Sequence, residues 1–210
     1  DKTFGTGPHT ISIPRVEHAQ NAPVANNPPC PVSDKDFRKL VAVIRCAVPY
    51  TGMILSTREN AKMRRELFHL GVSQISAGSK TNPGGYSEAK INPENEEQFA
   101  LSDTRPTPVV IKDMIKQGFI SSFCTACYRA GRTGKDFMDL AKPGLIQNFC
   151  QPNALLTLQE YLEDYADGEA KKSGGKLIKK ESKKIKNKKI KEAFYKKLKR
   201  IKNGERDLYL

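Results

Sequence analysis

Tryptophan is absent from the sequence, and aromatic residues make up only 8% of its 210 positions. Hydrophobic residues amount to 38%, which is enough for a core but not for a rich one. No apolar stretch approaches the roughly 20 residues of a membrane-spanning helix, and no secretory signal opens the chain. These absences argue against a membrane protein and predict an intracellular one.

Acidic residues are scarce as well, but only at one end of the chain. The formal net charge is +13. Residues 168–210 contain 17 Lys and Arg against 5 Asp and Glu, whereas the other 167 residues carry 19 basic and 18 acidic side chains. A balanced body argues against a nucleic-acid-binding protein, and the basic tail predicts either a docking surface or a solvated amphipathic helix.

Apolar segments alternate with helical patterns through the first 123 residues. Strands are predicted over 10–13, 52–55, 72–77 and 119–123, and helices over 34–48, 60–70 and 106–117. This alternation indicates βαβ units on a parallel sheet, and three or four units are about half of an eight-stranded barrel. The predicted fold is therefore α/β, with residues 1–123 forming the C-terminal half of a (β/α)8-type barrel whose other half precedes the chain. The polar stretch 86–104 is expected to cross the surface.

Beyond Cys124 the pattern becomes wholly helical. We expect a helical domain over 124–167, with helices at 133–140 and 153–165, and a Lys-rich helical tail over 168–210. In the tail, an apolar helical face is formed by Ile190, Phe194, Leu198 and Ile201.

The five cysteines are odd in number and do not predict disulfides in an intracellular chain. Cys124 and Cys127 form a C-x2-C pair, and Cys150 follows after 22 residues. Soft thiolates select iron–sulfur clusters or zinc, and a structural zinc site would normally show a second pair. Three thiolates suit a four-iron cluster with one open iron. Zinc and buried, unreactive cysteines remain the alternatives. Cys46 is predicted to be core, and Cys30 is given no role.

Positive groups accompany these cysteines. Arg129 and Arg132 lie beside the C-x2-C pair, where they would offset the negative charge of a cluster. Cys150 precedes Pro152 and a helix expected to start at Asn153, so the first amides of that helix would serve the same purpose.

Polar residues follow two of the predicted strands. Ser56 and Arg58 come after one strand, at the rim where barrel enzymes place their chemistry, and Ser76 and Ser79 come after the next. A guanidinium binds a carboxylate bidentately, so Arg58 is a candidate ligand for a carboxylate substrate. The alternatives are a surface pair of Arg58 with Glu59 and simple packing of Ser76.

Six motifs together resemble the HydG family of radical-SAM tyrosine lyases. They are Gly7–Arg15, Ala47–Glu59, Gly71–Ser79, Cys124–Gly134, Cys150–Leu158 and Gly204–Tyr209. The related tyrosine lyase of thiamine biosynthesis shares the Ser-Thr-Arg-Glu motif and a motif like Lys80–Tyr86, but it lacks the three cysteines. The cysteine triad therefore favours the HydG family.

The resemblance implies an activity and its cofactors. The family cleaves S-adenosylmethionine at a first 4Fe-4S cluster and splits tyrosine into p-cresol and dehydroglycine. Dehydroglycine yields CO and cyanide for an Fe(CO)2CN synthon at an auxiliary 4Fe-4S cluster, which Cys124, Cys127 and Cys150 match. The resemblance also implies that tyrosine is the substrate and that FeFe-hydrogenase maturation proteins are the partners. It implies a location in the cytoplasm, or in a hydrogenosome or other organelle if the source is a eukaryote.

One departure limits the resemblance. The radical-SAM motif C-x3-C-x2-C is missing, so this chain alone is expected to be inactive. The alternative is a stand-alone metal-binding interaction module whose basic tail docks a polyanion.

Overall fold

The computed structural model describes Thr3, Gly5, residues 7–87 and residues 97–210. Two compact units are present, one of Gly7–Thr107 and one containing Pro108–Leu210. Residues 88–96 of the surface crossing expected over 86–104 lie outside the described residues. No helix in the described part of the chain is both long and apolar enough to cross a membrane.

The first unit is built from βαβ repeats. Its elements are β1 (Thr10–Ser12), α1 (Pro23–Asn26), α2 (Asp34–Ala47), β2 (Gly52–Leu55), α3 (Ala61–His69) and β3 (Gln74–Ile75). The strands are parallel in the order β1-β2-β3, with Ile11 opposite Met53 and Leu55 opposite Ile75. The predicted α/β class with a parallel sheet is confirmed.

Helix α2 shows why these segments fold as expected. The Ser33 hydroxyl accepts a hydrogen bond from the Asp36 amide at 3.1 Å, which caps the first turn. At the other end, Arg45 donates to the Gly71 carbonyl at 2.7 Å. Gly71 has φ +104°, a conformation that glycine adopts without strain. The core of this unit is apolar and comprises Ile13, Phe37, Val41, Met53, Leu55, Met63, Leu67 and Val72.

A buried ion pair ties the end of β3 to a distant loop. Arg64 and Asp103 are each only 2% exposed. The Arg64 guanidinium donates to the Asp103 carboxylate and to the Ser76 carbonyl. Arg105 donates to the same carboxylate at 2.7 Å.

The second unit is helical. Its elements are α4 (Thr107–Lys116), α5 (Ala126–Arg129), α6 (Gly134–Ala141), α7 (Gln147–Asp164), α8 (Gly168–Glu181), a 3-10 turn (Ser182–Lys184) and α9 (Lys188–Lys202). A core forms from Leu155, Leu156, Leu158 and Leu162 of α7 with apolar residues of α4, α8 and α9. A Cβ atom at Gly174 would lie 2.6 Å from Leu162, so glycine permits α8 to pack closely on α7. The expected apolar face of α9 joins this core.

Two predicted elements differ from the structure. The strand expected over 119–123 is wrong, because that stretch has no strand. The Phe123 amide instead donates to Thr157 of α7 at 3.2 Å, and the Phe123 ring stacks on Tyr161. Helix α7 begins at Gln147 rather than Asn153, so Pro152 lies inside it.

Cys46 is exposed, which contradicts its predicted place in the core. The buried positions of α2 are Phe37 and Val41, one helical turn apart. Five residues beyond Val41, Cys46 has rotated about 140° around the helix, away from this face.

We predict that Asp103→Asn destabilises the first unit strongly. The substitution removes a carboxylate that pairs with the buried guanidinium of Arg64, and breaking a buried pair in this way costs about 3–5 kcal/mol. Glu66→Gln breaks the Arg38–Glu66 pair of the same unit, whose side chains are about one third exposed, and should cost at most about 1 kcal/mol. Urea denaturation of both variants checks this. Equal, small losses would contradict the importance of the Arg64 pair.

Candidate metal centre and strand-end residues

The three predicted metal ligands all lie in the second unit. Cys124 lies two residues before α5, Cys127 lies within it, and Cys150 occupies the first turn of α7. Cys124 and Cys127 are partly buried, and Cys150 is exposed. The first turn of α7 therefore contains the third predicted ligand, whereas the helix was expected to start after Cys150.

The C-x2-C turn is shaped by hydrogen bonds to sulfur and to its backbone. The Ala126 amide donates to the Cys124 sulfur at 3.4 Å, and the Cys124 amide donates to the Ser122 hydroxyl at 3.3 Å. The Arg132 amide donates to the Cys127 carbonyl at 2.8 Å. These hydrogen bonds fix the Cys124 side chain and backbone at the start of the turn.

Cys150 lies close enough to the pair for their charges to interact. Cys150 as a residue is exposed, but the atoms packed around its thiol raise the pKa of that thiol to about 11. Negative charge on Cys127 and Cys124 also raises this pKa, while Arg132 lowers it. Among the described residues, no three His, Cys, Asp or Glu side chains are arranged to hold a single metal ion. The three thiols therefore lie near one another, but they are not arranged around a single metal ion.

The structure separates the two arginines that the sequence placed together. Arg129 is engaged by the C-terminal segment, because its Nη2 donates to Asp207 at 2.9 Å and its guanidinium lies 5.5 Å from the Tyr209 ring centre. Arg132 lies 5.3 Å from the ring centre of Phe149, the residue before Cys150. Its Nε and Nη2 atoms are buried and have no hydrogen-bond partner among the described residues.

The C-terminal segment also holds the start of α7. Asn153, which is 2% exposed, accepts from the Leu210 amide at 2.7 Å and donates to its carbonyl at 3.2 Å. Arg206 pairs with Asp164 at the other end of the helix. Sequence reasoning did not assign these contacts, although the motif Gly204–Tyr209 was a signal that the segment matters.

The strand-end residues lie in the first unit. Ser56 follows Leu55, the last residue of β2, and Ser76 follows Ile75, the last residue of β3. Strands β2 and β3 are adjacent in the sheet. The two serines therefore come from the same edge of the sheet. Ser79 is partly buried three residues further on.

Arg58 contacts groups that the sequence did not indicate. It donates from Nη1 to the Arg15 carbonyl at 3.1 Å, and its guanidinium lies 4.1 Å from the Phe99 ring centre. The alternative surface pair with Glu59 is wrong, because Glu59 is buried and accepts two hydrogen bonds from Arg15, at 2.8 and 2.5 Å. The signal for this pair was that Arg15 and Glu59 end two of the resembling motifs.

We predict that Asn153→Ala loosens the C-terminal segment. The change leaves the Leu210 amide and carbonyl without their buried partner, which costs about 1–3 kcal/mol. Hydrogen exchange should then be faster at the Leu210 amide, and the free energy of unfolding should fall. Asn203→Ala, at an exposed position after α9, is the control. Unchanged exchange at Leu210 would show that Asn153 does not hold the segment.

Comparisons with known proteins point in one direction. The chain aligns over its whole length with a crystal structure of HydG, a maturase of the FeFe-hydrogenase, with 52% identity and a TM-score of 0.90, and it covers 44% of that chain. For HydG from Carboxydothermus hydrogenoformans, identity is 38% and the TM-score 0.68, over 94% of this chain and 41% of that one. The resemblance to HydG proteins is confirmed.

More distant relatives and a family model cover the first part of the chain. The 2-iminoacetate synthase of Escherichia coli K12 is 33% identical over 52% of this chain and 28% of its own length. That of Salmonella typhimurium is 29% identical over 56% of this chain and 29% of its own length. The chain thus spans less than half of these relatives. The model of the Biotin and Thiamin Synthesis associated domain matches residues 12–120, and the chain belongs to that family.

Proposed function

We propose that the chain is the C-terminal part of a radical-SAM tyrosine lyase of the HydG type, with an auxiliary 4Fe-4S cluster at Cys124, Cys127 and Cys150. The observation that supports the proposal is a structural match to HydG at 52% identity, in which Cys150 lies close enough to Cys124 and Cys127 for their charges to interact. The nearby Nε and Nη2 atoms of Arg132 are buried and have no hydrogen-bond partner among the described residues. Residues 1–123 would supply the barrel half, residues 124–167 the auxiliary-cluster domain and residues 168–210 the Lys-rich tail.

The donor set fits an iron–sulfur cluster. Three thiolates leave one iron of a four-iron cluster open to a ligand from outside the protein. The ligands of such a cluster stand farther apart than those of one ion, because the cluster itself separates them. The Ala126 amide already donates to sulfur, as cluster sites require, and the Nε and Nη2 atoms of Arg132 remain available.

The protein's own residues would position this centre. Bound there, the cluster would supply an open iron that takes up CO and cyanide in the making of an Fe(CO)2CN synthon. The α5 turn directs Cys124 and Cys127, and α7 directs Cys150 from a helix whose leucines are fixed in the core. Arg129 joins the turn to Asp207 and Tyr209, so the C-terminal segment keeps the turn in place.

The strand-end residues would serve the earlier step, the cleavage of tyrosine with S-adenosylmethionine at a second 4Fe-4S cluster. In this proposal Ser56, Ser76 and Ser79 hydrogen-bond substrate or cofactor, and Arg58 binds a carboxylate. A guanidinium carries five N–H donors, and the bond from Nη1 to Arg15 uses one of them. The contact with the Phe99 ring fixes the plane of the guanidinium.

We expect the purified chain to take up iron and sulfide anaerobically and to lose this capacity when Cys124, Cys127 and Cys150 are all changed to Ser. Absorption in the four-iron region and chemical assays of iron and sulfide measure the uptake. Cys30→Ser with Cys46→Ser removes two exposed cysteines outside the site and should leave the uptake unchanged. One zinc bound without iron would overturn the assignment.

In a full-length protein that contains this chain, we expect substitutions at the two sites to reduce different products. Arg58→Lys keeps the charge but loses the planar arrangement of N–H donors that binds a carboxylate. A hydrogen bond to a charged group is worth about 1.5–3 kcal/mol, so p-cresol formation should fall roughly ten- to a hundredfold. Cys124→Ser with Cys127→Ser should still release p-cresol but give no iron-bound carbonyl. Chromatography and infrared spectroscopy of one reaction measure both products.

Arg65→Lys, at an exposed position of α3, is the control for the arginine substitution and should leave both products unchanged. If the cysteine variant loses p-cresol as completely as carbonyl, the two residue sets do not act in separate steps.

A further inference from the structure

Arg132 has an unusual combination of burial and missing partners. Its Nε and Nη2 atoms are inaccessible to solvent, and neither has a hydrogen-bond partner in the described part of the chain. A buried polar group without a partner is unfavourable by about 1–3 kcal/mol, and by more when it is charged. A guanidinium stays charged at any pH at which the protein folds, so it cannot escape this penalty by losing a proton.

The backbone and side chain of Arg132 span the cysteine site. Its amide donates to the Cys127 carbonyl at 2.8 Å, which fixes the residue to the C-x2-C turn. Its guanidinium extends to the ring of Phe149, with 5.3 Å to the ring centre, and Phe149 is next to Cys150 in α7. The cation therefore lies between the two chain segments that carry the thiols.

The contact with Phe149 does not replace the missing acceptors. An aromatic face attracts a cation with about 0.5–2 kcal/mol, but it offers no in-plane acceptor to the N–H groups. Guanidinium N–H groups lie in the plane of the group and need acceptors at its edge. The Phe149 ring thus holds the guanidinium in position, and it leaves the N–H donors at the edge of the guanidinium without an acceptor.

Arg129 shows what an arginine with a structural role looks like in the same turn. It is exposed and donates to Asp207 at 2.9 Å, in addition to its contact with Tyr209. Its anion is supplied by the protein. Arg132 has the same charge and lies three residues away, but it pairs with no carboxylate among the described residues.

Resting on the proposed cysteine-bound cluster, we propose that Arg132 is its positioning and charge-balancing residue, donating from buried Nε and Nη2 to the anionic sulfur atoms of the centre. The thiolates and bound sulfides are negatively charged hydrogen-bond acceptors. They would therefore satisfy the Nε and Nη2 donors of Arg132, which have no partner among the described residues. Hydrogen bonds to sulfur and a nearby positive charge stabilise the more negative, reduced state and raise the reduction potential. Groups that support metal ligands in this way typically contribute 10- to 100-fold to metal retention.

The test compares Arg132→Met, Arg132→Lys and the matched control Arg38→Met, at an arginine that pairs with Glu66 in the first unit, in the purified chain reconstituted anaerobically with iron and sulfide. Methionine keeps the length and contact with Phe149 but removes the charge and donors. Arg132→Met should lose iron to a chelator about 10- to 100-fold faster than the wild type. Its midpoint potential, followed by electron paramagnetic resonance, should be lower. Arg132→Lys should recover most of the potential because it keeps the charge, and Arg38→Met should stay near the wild-type potential.

The metal-free protein gives a second readout. Removing an unpaired buried cation should leave the melting temperature of the metal-free Arg132→Met variant equal to or above that of the wild type. A lower melting temperature together with an unchanged potential would assign Arg132 a purely structural role and overturn the proposal. If the wild type takes up iron and sulfide, and both Arg132 variants match it in iron loss and midpoint potential, only the role of Arg132 is overturned. A wild type that loads neither overturns the cluster as well.

Discussion

The burial of four leucines of α7 is the constraint on which the second unit depends. Leu155, Leu156 and Leu158 are completely buried and Leu162 is 2% exposed, so the axis and rotation of the helix are fixed by contacts with α8 and α9. Each buried leucine contributes about 1.5–3 kcal/mol. Once the helix is fixed, its first turn has little freedom, and the position of Cys150 follows.

The same helix explains why its own start was difficult to predict. Proline is disfavoured in the interior of a helix, so the sequence predicted a helix that starts only after Pro152, at Asn153. The chain instead closes earlier turns, in which the amides of Phe149 and Cys150 both donate to the Ile146 carbonyl. Proline has no amide proton, so it breaks only its own hydrogen bond.

The parts that were predictable have local causes. The apolar run Gly52–Leu55 and the Ser33 cap each determine an element from a few neighbouring residues. The failures have distant causes. Phe123 has its hydrogen-bond partner in Thr157, and Glu59 has its partner in Arg15, 44 residues away. The distinct environments of Arg129 and Arg132 depend on Asp207 and Phe149, which spacing does not reveal.

The attachment of the C-terminal segment has a consequence for the opening of the cysteine site. Segments held mainly by side-chain bonds open locally at a lower free energy than the whole domain. Here the bond to Asn153 and the Arg129–Asp207 pair tie such a segment to α7 and to the C-x2-C turn. Local opening of residues 205–210 would therefore release the turn while the leucines of α7 stay packed. The surroundings of the three thiols would then change without global unfolding.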